Sequence, residues 1–260
     1  TLMKQMAMWQ ALPLDELMAE CESVGVSADA VLEQSSGERR DLLMNRLLIH
    51  SRMAAWEVKG YHALRIGSLD GVREVIAQFA HIDQLAPADL LKWYTSCGLP
   101  EERDLSSGEI AGLFRKVTLW MAYPLRELIR ECQLRQLLPD VAGTGAGVGS
   151  PAISDMNDEE SDKRRTELID KLFINERMQA WDDKGFHACR IGDPDKVVHL
   201  VQQSEHIAGL GFSELLAWYQ DLGFPREAGL EHAELSALAR QVVLWEALPV
   251  DVLREECKAK

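Results

Sequence analysis

A gapless internal duplication constrains the fold of this chain more than any other feature of its sequence. The segment Arg52–Pro100 aligns with Arg177–Pro225 at a constant offset of 125 positions. Roughly half of the aligned residues are identical, a level that chance matching does not produce, so the chain is a tandem duplication. The shared residues include Met53, Trp56, Lys59, Gly60, His62, Arg65, Trp93 and Tyr94, which recur as Met178, Trp181, Lys184, Gly185, His187, Arg190, Trp218 and Tyr219.

A shorter motif occurs three times, with a tryptophan, a proline, a leucine and a cysteine each four positions apart. Four-residue spacing follows one face of an α-helix, and proline fits the first helical turn, so each copy predicts a helix, a tight corner and a second helix. The copies are Trp9-Pro13-Leu17-Cys21, Trp120-Pro124-Leu128-Cys132 and Trp245-Pro249-Leu253-Cys257. Because the third copy breaks off at Lys260, we expect the chain to end inside a repeat of a longer polypeptide.

Helical periodicity covers most of the chain, and no run alternates strictly enough to predict a strand. We therefore predict an all-α fold, a tandem helical repeat with mostly short connections. The first repeat unit is assigned to residues 1–137, a flexible loop rich in glycine and acidic residues to 138–162, and the second repeat unit to 163–260. Helices are expected near residues 2–20, 37–58, 69–80, 87–97, 107–121, 124–135, 160–183, 194–204, 213–222, 231–246 and 249–258.

The helix that starts at Pro13 and the basic, leucine-rich helix that follows it, with Arg39-Arg40-Asp41-Leu42-Leu43, together resemble a SAP motif. That family is a helix, extended loop, helix module, and many of its members bind DNA. The resemblance implies nucleic-acid binding at the basic start of the second helix, at Arg39, Arg40, Arg46, Lys163, Arg164, Arg165 and Lys171. The repetitive pattern is also similar to that of repetitive proteins of dinoflagellate algae.

The charge balance opposes that nucleic-acid interpretation. The formal net charge is -14, so the surface as a whole repels phosphate. An acidic run also precedes Lys163 directly. The alternative is a solvated helix start at which the arginines pair with local carboxylates, and we favour it.

The aromatic residues follow the duplication closely. All seven tryptophans occupy repeat positions, which predicts that they pack neighbouring helices together rather than forming an aromatic ligand box. The predicted structural core of the repeat comprises Trp9, Trp56, Trp93, Trp120, Trp181, Trp218, Trp245, Cys21, Cys132 and Cys257.

The cysteines show no spacing typical of a metal site. Cys97 aligns with Leu222, and Cys189 aligns with Leu64, so both thiols are predicted to be small buried hydrophobes. Free thiols predict an intracellular, reducing compartment, with the plastid and the nucleus both open.

Other polar residues do not form a recognisable catalytic constellation. His62 and His81 recur as His187 and His206, but Arg65 lies three positions after His62, so a hydrogen-bonded role at a helix junction is favoured over metal or chlorin binding. The adjacent carboxylates in Glu101-Glu102 and Glu255-Glu256 are expected to face different directions or solvent. We predict no catalytic residue, no metal and no cofactor.

These features favour a soluble, non-catalytic scaffold or interaction protein that docks on a larger protein assembly as a peripheral subunit. No segment approaches the length of apolar sequence that spans a bilayer. Nucleic-acid binding through the SAP-like helix starts is the first alternative, and binding of a pigment or small ligand is the second.

Overall fold

The chain is all-α, as the sequence predicts. A computed structural model describes residues 2–27, 35–138, 157–227 and 229–259, and within these ranges it contains no strand. The helices are α1 (Leu2–Ala11), α2 (Leu14–Ser23), α3 (Ser36–Val58), α4 (Ala63–Ile66), α5 (Leu69–Ile82), α6 (Pro87–Ser96), α7 (Ser107–Ala122), α8 (Leu125–Leu134), α9 (Asp158–Trp181), α10 (Ala188–Ile191), α11 (Pro194–Gly209), α12 (Phe212–Asp221), α13 (His232–Ala247) and α14 (Val250–Ala259), with a π-helical turn at Asp182–Phe186. None of the described helices is both long and apolar enough to cross a membrane.

The chain forms two compact units. The first contains Thr1–His81 and Thr118–Glu127, and the second contains Ile82–Val117 and Leu128–Lys260. This division differs from the predicted repeat units, because Ile82–Val117 belongs to the first sequence copy but packs with residues of the second.

In the first unit, α1 and α2 pack against α3. Trp9, Leu17, Cys21, Leu43 and Leu47 form a buried cluster. Burial of these side chains removes apolar surface from water, which stabilises three helices that are individually short or weakly amphipathic.

The end of α1 is capped by an arginine from α3. The Arg40 guanidinium donates hydrogen bonds to the carbonyl oxygens of Gln10, at 3.0 Å, and of Leu12. The last carbonyls of a helix have no partner within the helix, so this side chain satisfies groups that would otherwise be left to solvent.

The second unit has two buried apolar clusters. One surrounds Trp181 and Val201, where α9, α10 and α11 meet. The other surrounds Leu215 and Leu235, where α12 packs on α13. Both clusters consist of residues at helical spacing, in agreement with the periodicity of the sequence.

The best-preserved stretch of the duplication keeps an unusual backbone conformation. Gly60, His62 and Gly67 all have positive φ, at 82°, 49° and 70°, and the equivalent residues of the second copy have 87°, 50° and 68°. Histidine tolerates this left-handed region better than most residues with a side chain. Backbone geometry at the junctions around α4 and α10 is therefore one physical reason for the recurrence of this histidine.

Hydrogen bonding at the two histidines differs between the copies. Nδ1 of His62 lies 2.6 Å from the Tyr123 hydroxyl, whereas Leu248 stands at the position equivalent to Tyr123. The predicted hydrogen-bonded role at a helix junction thus describes His62, while the left-handed backbone is common to His62 and His187.

The predicted loop at 138–162 ends earlier than expected. Residues 139–156 lie outside the described part of the chain, but Asp158–Asp162 are helical and open α9. The Asn157 side chain accepts a hydrogen bond from the Glu160 backbone amide, and carboxylates in a first helical turn interact favourably with the helix dipole. The sequence predicts a loop here, but an acidic run is also typical of a helix start.

Candidate functional site

A buried carboxylate, Glu102, is the centre of a polar cluster in the second unit. Its side chain is 1% exposed and accepts hydrogen bonds from the Tyr94 hydroxyl and the Arg177 guanidinium, each at 2.5 Å. The Trp181 indole N–H and the Lys184 ammonium also donate to it, at 3.0 Å and 2.7 Å. The carboxylate is thus held by four donors, two of which are cationic.

Two short stretches of chain position these five residues. Tyr94 lies on α6, and the turn at Gly98, with φ of 80°, brings the chain back so that Glu102 reaches the tyrosine hydroxyl. Arg177 and Trp181 lie four positions apart near the end of α9, on one helix face. The Arg177 guanidinium lies 5.3 Å from the Tyr94 ring centroid and 5.1 Å from that of Trp181.

The cluster stabilises the charged forms of both Glu102 and Lys184. Burial on its own would raise the pKa of Glu102, but the hydrogen bonds from Lys184 and Tyr94 and the charge of Arg177 outweigh it and hold the pKa below its ordinary value. Burial would lower the pKa of Lys184, yet its hydrogen bonds to Glu102 and Asp104 raise it. Glu102 therefore remains an anion and Lys184 a cation at neutral pH.

This arrangement is suited to joining helices. Glu102 is saturated with donors, and the Lys184 ammonium is bound by two carboxylates, with Asp104 at 3.2 Å. A general base or nucleophile needs a lone pair that can reach a substrate, and neither group offers one here. The cluster connects α6 and the turn after it to the end of α9.

The residues of this cluster recur in the duplication as two separate halves. Tyr219 and Glu227, the equivalents of Tyr94 and Glu102, form the carboxylate half, in which the Tyr219 hydroxyl donates to Glu227 at 2.8 Å. Arg52, Trp56 and Lys59, the equivalents of Arg177, Trp181 and Lys184, form the cationic half. The Arg52 guanidinium lies 5.0 Å from the Trp56 ring centroid, as in the closed cluster.

The adjacent carboxylates Glu101 and Glu102 are expected to face different directions or solvent, and they do face different directions, but the expectation did not include the burial of Glu102. Glu102 is among the few buried charged residues of the described chain, while its neighbour Glu101 is exposed. A signal was available in the sequence, because a glutamate follows two positions after the repeated proline in both copies, as Glu102 and Glu227. A glutamate retained in both copies, together with a retained tyrosine, arginine and lysine, indicates that the glutamate forms ion pairs with the two cations.

The tryptophans predicted to form the repeat core differ in burial. Trp9, Trp120 and Trp181 are buried, and Trp56, Trp93, Trp218 and Trp245 are partly buried. Trp93 stacks on Phe114 with a centroid distance of 4.1 Å and also contacts the edge of Phe173. The aromatic rings thus pack against protein side chains in the described structure.

Two of the three cysteines predicted in the core are buried. The Cys21 thiol donates to the Leu43 carbonyl at 3.9 Å, and the equivalent Cys132 thiol donates to the Leu168 carbonyl at 3.7 Å. Cys257 is exposed, contrary to the prediction, because no described helix covers α14 in the way that α3 covers α2.

The prediction that Cys97 and Cys189 are buried was also wrong. Both are exposed, and so are the leucines at the equivalent positions, Leu222 at 50% and Leu64 at 55%. Interchange of cysteine with leucine predicts burial, but both positions are exposed in both copies.

These exposures predict the reactivity of the thiols. We expect Cys97, Cys189 and Cys257 to react with an aromatic disulfide reagent in the native protein, whereas Cys21 and Cys132 react only after unfolding, since both side chains are fully buried and the reagent cannot reach them. Absorbance of the released thiolate counts the reactive groups with and without denaturant. A Cys257→Ser variant should lose one native thiol, and five rapidly reacting native thiols would contradict the structure.

The basic positions implied by the SAP resemblance are largely engaged in local contacts. Arg40 caps α1, Arg46 donates to the Ser27 carbonyl at 2.6 Å, and Arg164 pairs with Glu167 at 3.1 Å. Lys163 and Lys171 are exposed. Arg39 and Arg165 also have interaction partners.

The described residues contain no group of three or more histidine, cysteine, aspartate or glutamate side chains that could hold a metal.

Comparison of the chain with models of protein families, with curated proteins and with solved structures found no match.

Proposed function

We propose that this protein is a non-catalytic scaffold of helical repeats that docks on another protein as a peripheral subunit of a larger assembly. The observation that carries the proposal is the closed cluster at Glu102. Five residues that the duplication retains in both copies are used there for packing one helix against another, namely Tyr94, Glu102, Arg177, Trp181 and Lys184. Residues retained for packing favour a binding scaffold over an enzyme.

The charge of the chain indicates the chemistry of the partner. A formal net charge of -14 favours association with a positively charged protein surface and opposes association with nucleic acid or an anionic membrane. Electrostatic attraction of this kind accelerates encounter and weakens as the salt concentration rises.

The SAP-like alternative would require several arginines to leave their present partners. Arg40 would release the carbonyl oxygens at the end of α1, and Arg164 would release Glu167 before either could bind phosphate. Those losses offset the gain from a new phosphate contact. The two exposed lysines, Lys163 and Lys171, are the positions at which a charge change tests nucleic-acid binding without removing a helix cap.

Isolation from a native extract tests the proposal. Tagged protein is incubated with extract that has been treated with nuclease, and we expect a protein partner in stoichiometric amount whose retention falls as salt rises. The variant Lys163→Glu with Lys171→Glu should retain the partner equally well. Recovery of the tagged protein alone would contradict the proposal. Retention that depends on polynucleotide and is lost in the double variant would favour the SAP-like alternative.

A further inference from the structure

We propose that copies of this chain associate head to tail, with the carboxylate half of one copy docking on the cationic half of the next. Tyr219 and Glu227 of one copy would meet Arg52, Trp56 and Lys59 of another and reproduce the closed cluster at Glu102. The inference rests on the geometry of that cluster and not on the proposed function, so a partner protein could bind whether or not the chain self-associates.

The closed cluster supplies the template for this contact. Within one chain, Tyr94 and Glu102 of the first sequence copy are bound by Arg177, Trp181 and Lys184 of the second. Each of these five residues has an identical residue 125 positions away. The residues that join the two sequence copies at the closed cluster are therefore present a second time. The second carboxylate half lies in the second sequence copy, and the second cationic half lies in the first.

Both free halves already have the internal contacts of the closed cluster. The tyrosine-to-glutamate hydrogen bond is 2.8 Å in the free carboxylate half and 2.5 Å in the closed one. The arginine-to-tryptophan distance is 5.0 Å in the free cationic half and 5.1 Å in the closed one. Halves that are already arranged for binding lose little conformational entropy when they meet.

The charged groups of the free halves face solvent. Glu227, Arg52 and Lys59 are exposed, whereas Glu102 and Arg177 are buried. Among the described residues, Arg52 and Lys59 form no ion pair, and the Glu227 carboxylate accepts a single hydrogen bond, from the Tyr219 hydroxyl. The two cations and the single carboxylate are complementary in charge, as they are in the closed cluster.

Apolar residues beside the two halves are also complementary. In the closed cluster, Leu99 packs against the buried cluster that contains Met178 and Trp181. Phe224 stands at the position equivalent to Leu99 and is 49% exposed, with its ring stacked on Tyr219 at 4.9 Å. Docking would remove this exposed ring from water, which favours association.

Some contacts around the closed cluster have no equivalent, which makes the proposed contact the weaker of the two. Lys116 pairs with Glu176, but Gln241 and Ser51 stand at the equivalent positions. We therefore expect reversible association that depends on concentration. Because the two halves are different surfaces, the contact is heterologous, and repeated contacts join copies of the chain into open chains or closed rings.

Sedimentation velocity over a series of protein concentrations tests the proposal. The wild-type protein should sediment faster as its concentration rises, with species beyond the dimer. The variant Glu227→Arg should weaken association about thirtyfold or more, because it places a cation opposite Arg52 and Lys59. Glu246→Arg, which makes the same charge change at an exposed position outside both halves, should associate like the wild type.

Complementation between two variants identifies the surfaces. Glu227→Arg keeps a functional cationic half, and Arg52→Glu with Lys59→Glu keeps a functional carboxylate half. Each variant alone should remain monomeric, and an equimolar mixture should form a dimer that grows no further. Circular dichroism verifies that each variant is folded. A wild-type monomer at every concentration, or association that Glu227→Arg leaves unchanged, would overturn the proposal.

Discussion

Replacement of Glu102 by glutamine is expected to reduce the free energy of unfolding by about 3–5 kcal/mol, because removal of one partner leaves buried cations without their counter-charge. Arg177 is 7% exposed in its side chain, so it cannot recover hydration without local unfolding. Glutamine keeps the shape of the side chain, but it removes the charge and replaces one acceptor oxygen with an NH2 group that only donates. The loss therefore reports the ion pairs and hydrogen bonds of the carboxylate rather than a cavity.

Two matched variants make this result specific. Glu101→Gln makes the same change at the exposed neighbouring residue, and Glu227→Gln makes it at the equivalent exposed position of the second copy. Substitutions at exposed positions usually change the free energy of unfolding by less than about 0.5 kcal/mol. Urea denaturation followed by circular dichroism measures all three at a concentration at which the protein is monomeric. Equal losses for Glu102→Gln and Glu101→Gln would show that the buried cluster does not stabilise the fold.

The pH dependence of the free energy of unfolding is a second test of the charge on Glu102. The pKa of Glu102 in the folded protein is lower than its ordinary value of 4.5, so the unfolded chain binds the proton more tightly. The contribution of the carboxylate is fully present above the ordinary value and is lost as the pH falls through the lower pKa of the folded protein. The difference in stability between the wild type and Glu102→Gln should therefore shrink towards acid pH. A difference that grows as the pH falls would contradict the direction of the shift.

Replacement of Trp181 by alanine is expected to cost about 3–5 kcal/mol in the free energy of unfolding, the range for truncation of a large buried aromatic residue. Trp181 is 1% exposed, packs in the core of the second unit and donates its indole N–H to Glu102. Its loss removes apolar burial and one of the four donors of the carboxylate together.

Trp56→Ala is the matched control for this variant. Trp56 occupies the same position of the first copy, but it is partly exposed and has no buried glutamate beside it. We expect a loss of about 1–2 kcal/mol, in proportion to the smaller apolar area that it buries. Urea denaturation of the two variants, with the unfolding of the second unit followed separately by hydrogen exchange, distinguishes them. Similar losses would show that burial at the two positions contributes equally.

Much of the fold was predictable because its signals are local. The helix start at Pro87, the proline corners and the glycine at the end of α6 are properties of a few neighbouring residues. The end of the loop before α9 was not predicted correctly, because acidic residues are typical both of loops and of first helical turns. Four-residue helices such as α4 are too short to produce a periodic pattern.

The candidate site was less predictable because its key property is not local. Glu101 and Glu102 are identical residues at adjacent positions, and only one of them is buried. What separates them is the presence of Arg177, 75 positions later in the chain. The exposure of Cys97 is likewise decided by which elements pack nearby, and no pattern around that residue reports it.

By itself, the sequence determined the all-α class and the positions of most helices, because hydrophobic periodicity and helix caps act over a few residues. Alignment of the two copies also identified the residues that the duplication retained. Only the tertiary structure decided that the retained tyrosine, glutamate, arginine, tryptophan and lysine form one closed cluster at Glu102 and two open halves elsewhere. The physical reason is that a charge can be buried only where opposite charges converge on it, and convergence depends on contacts between residues far apart in the chain.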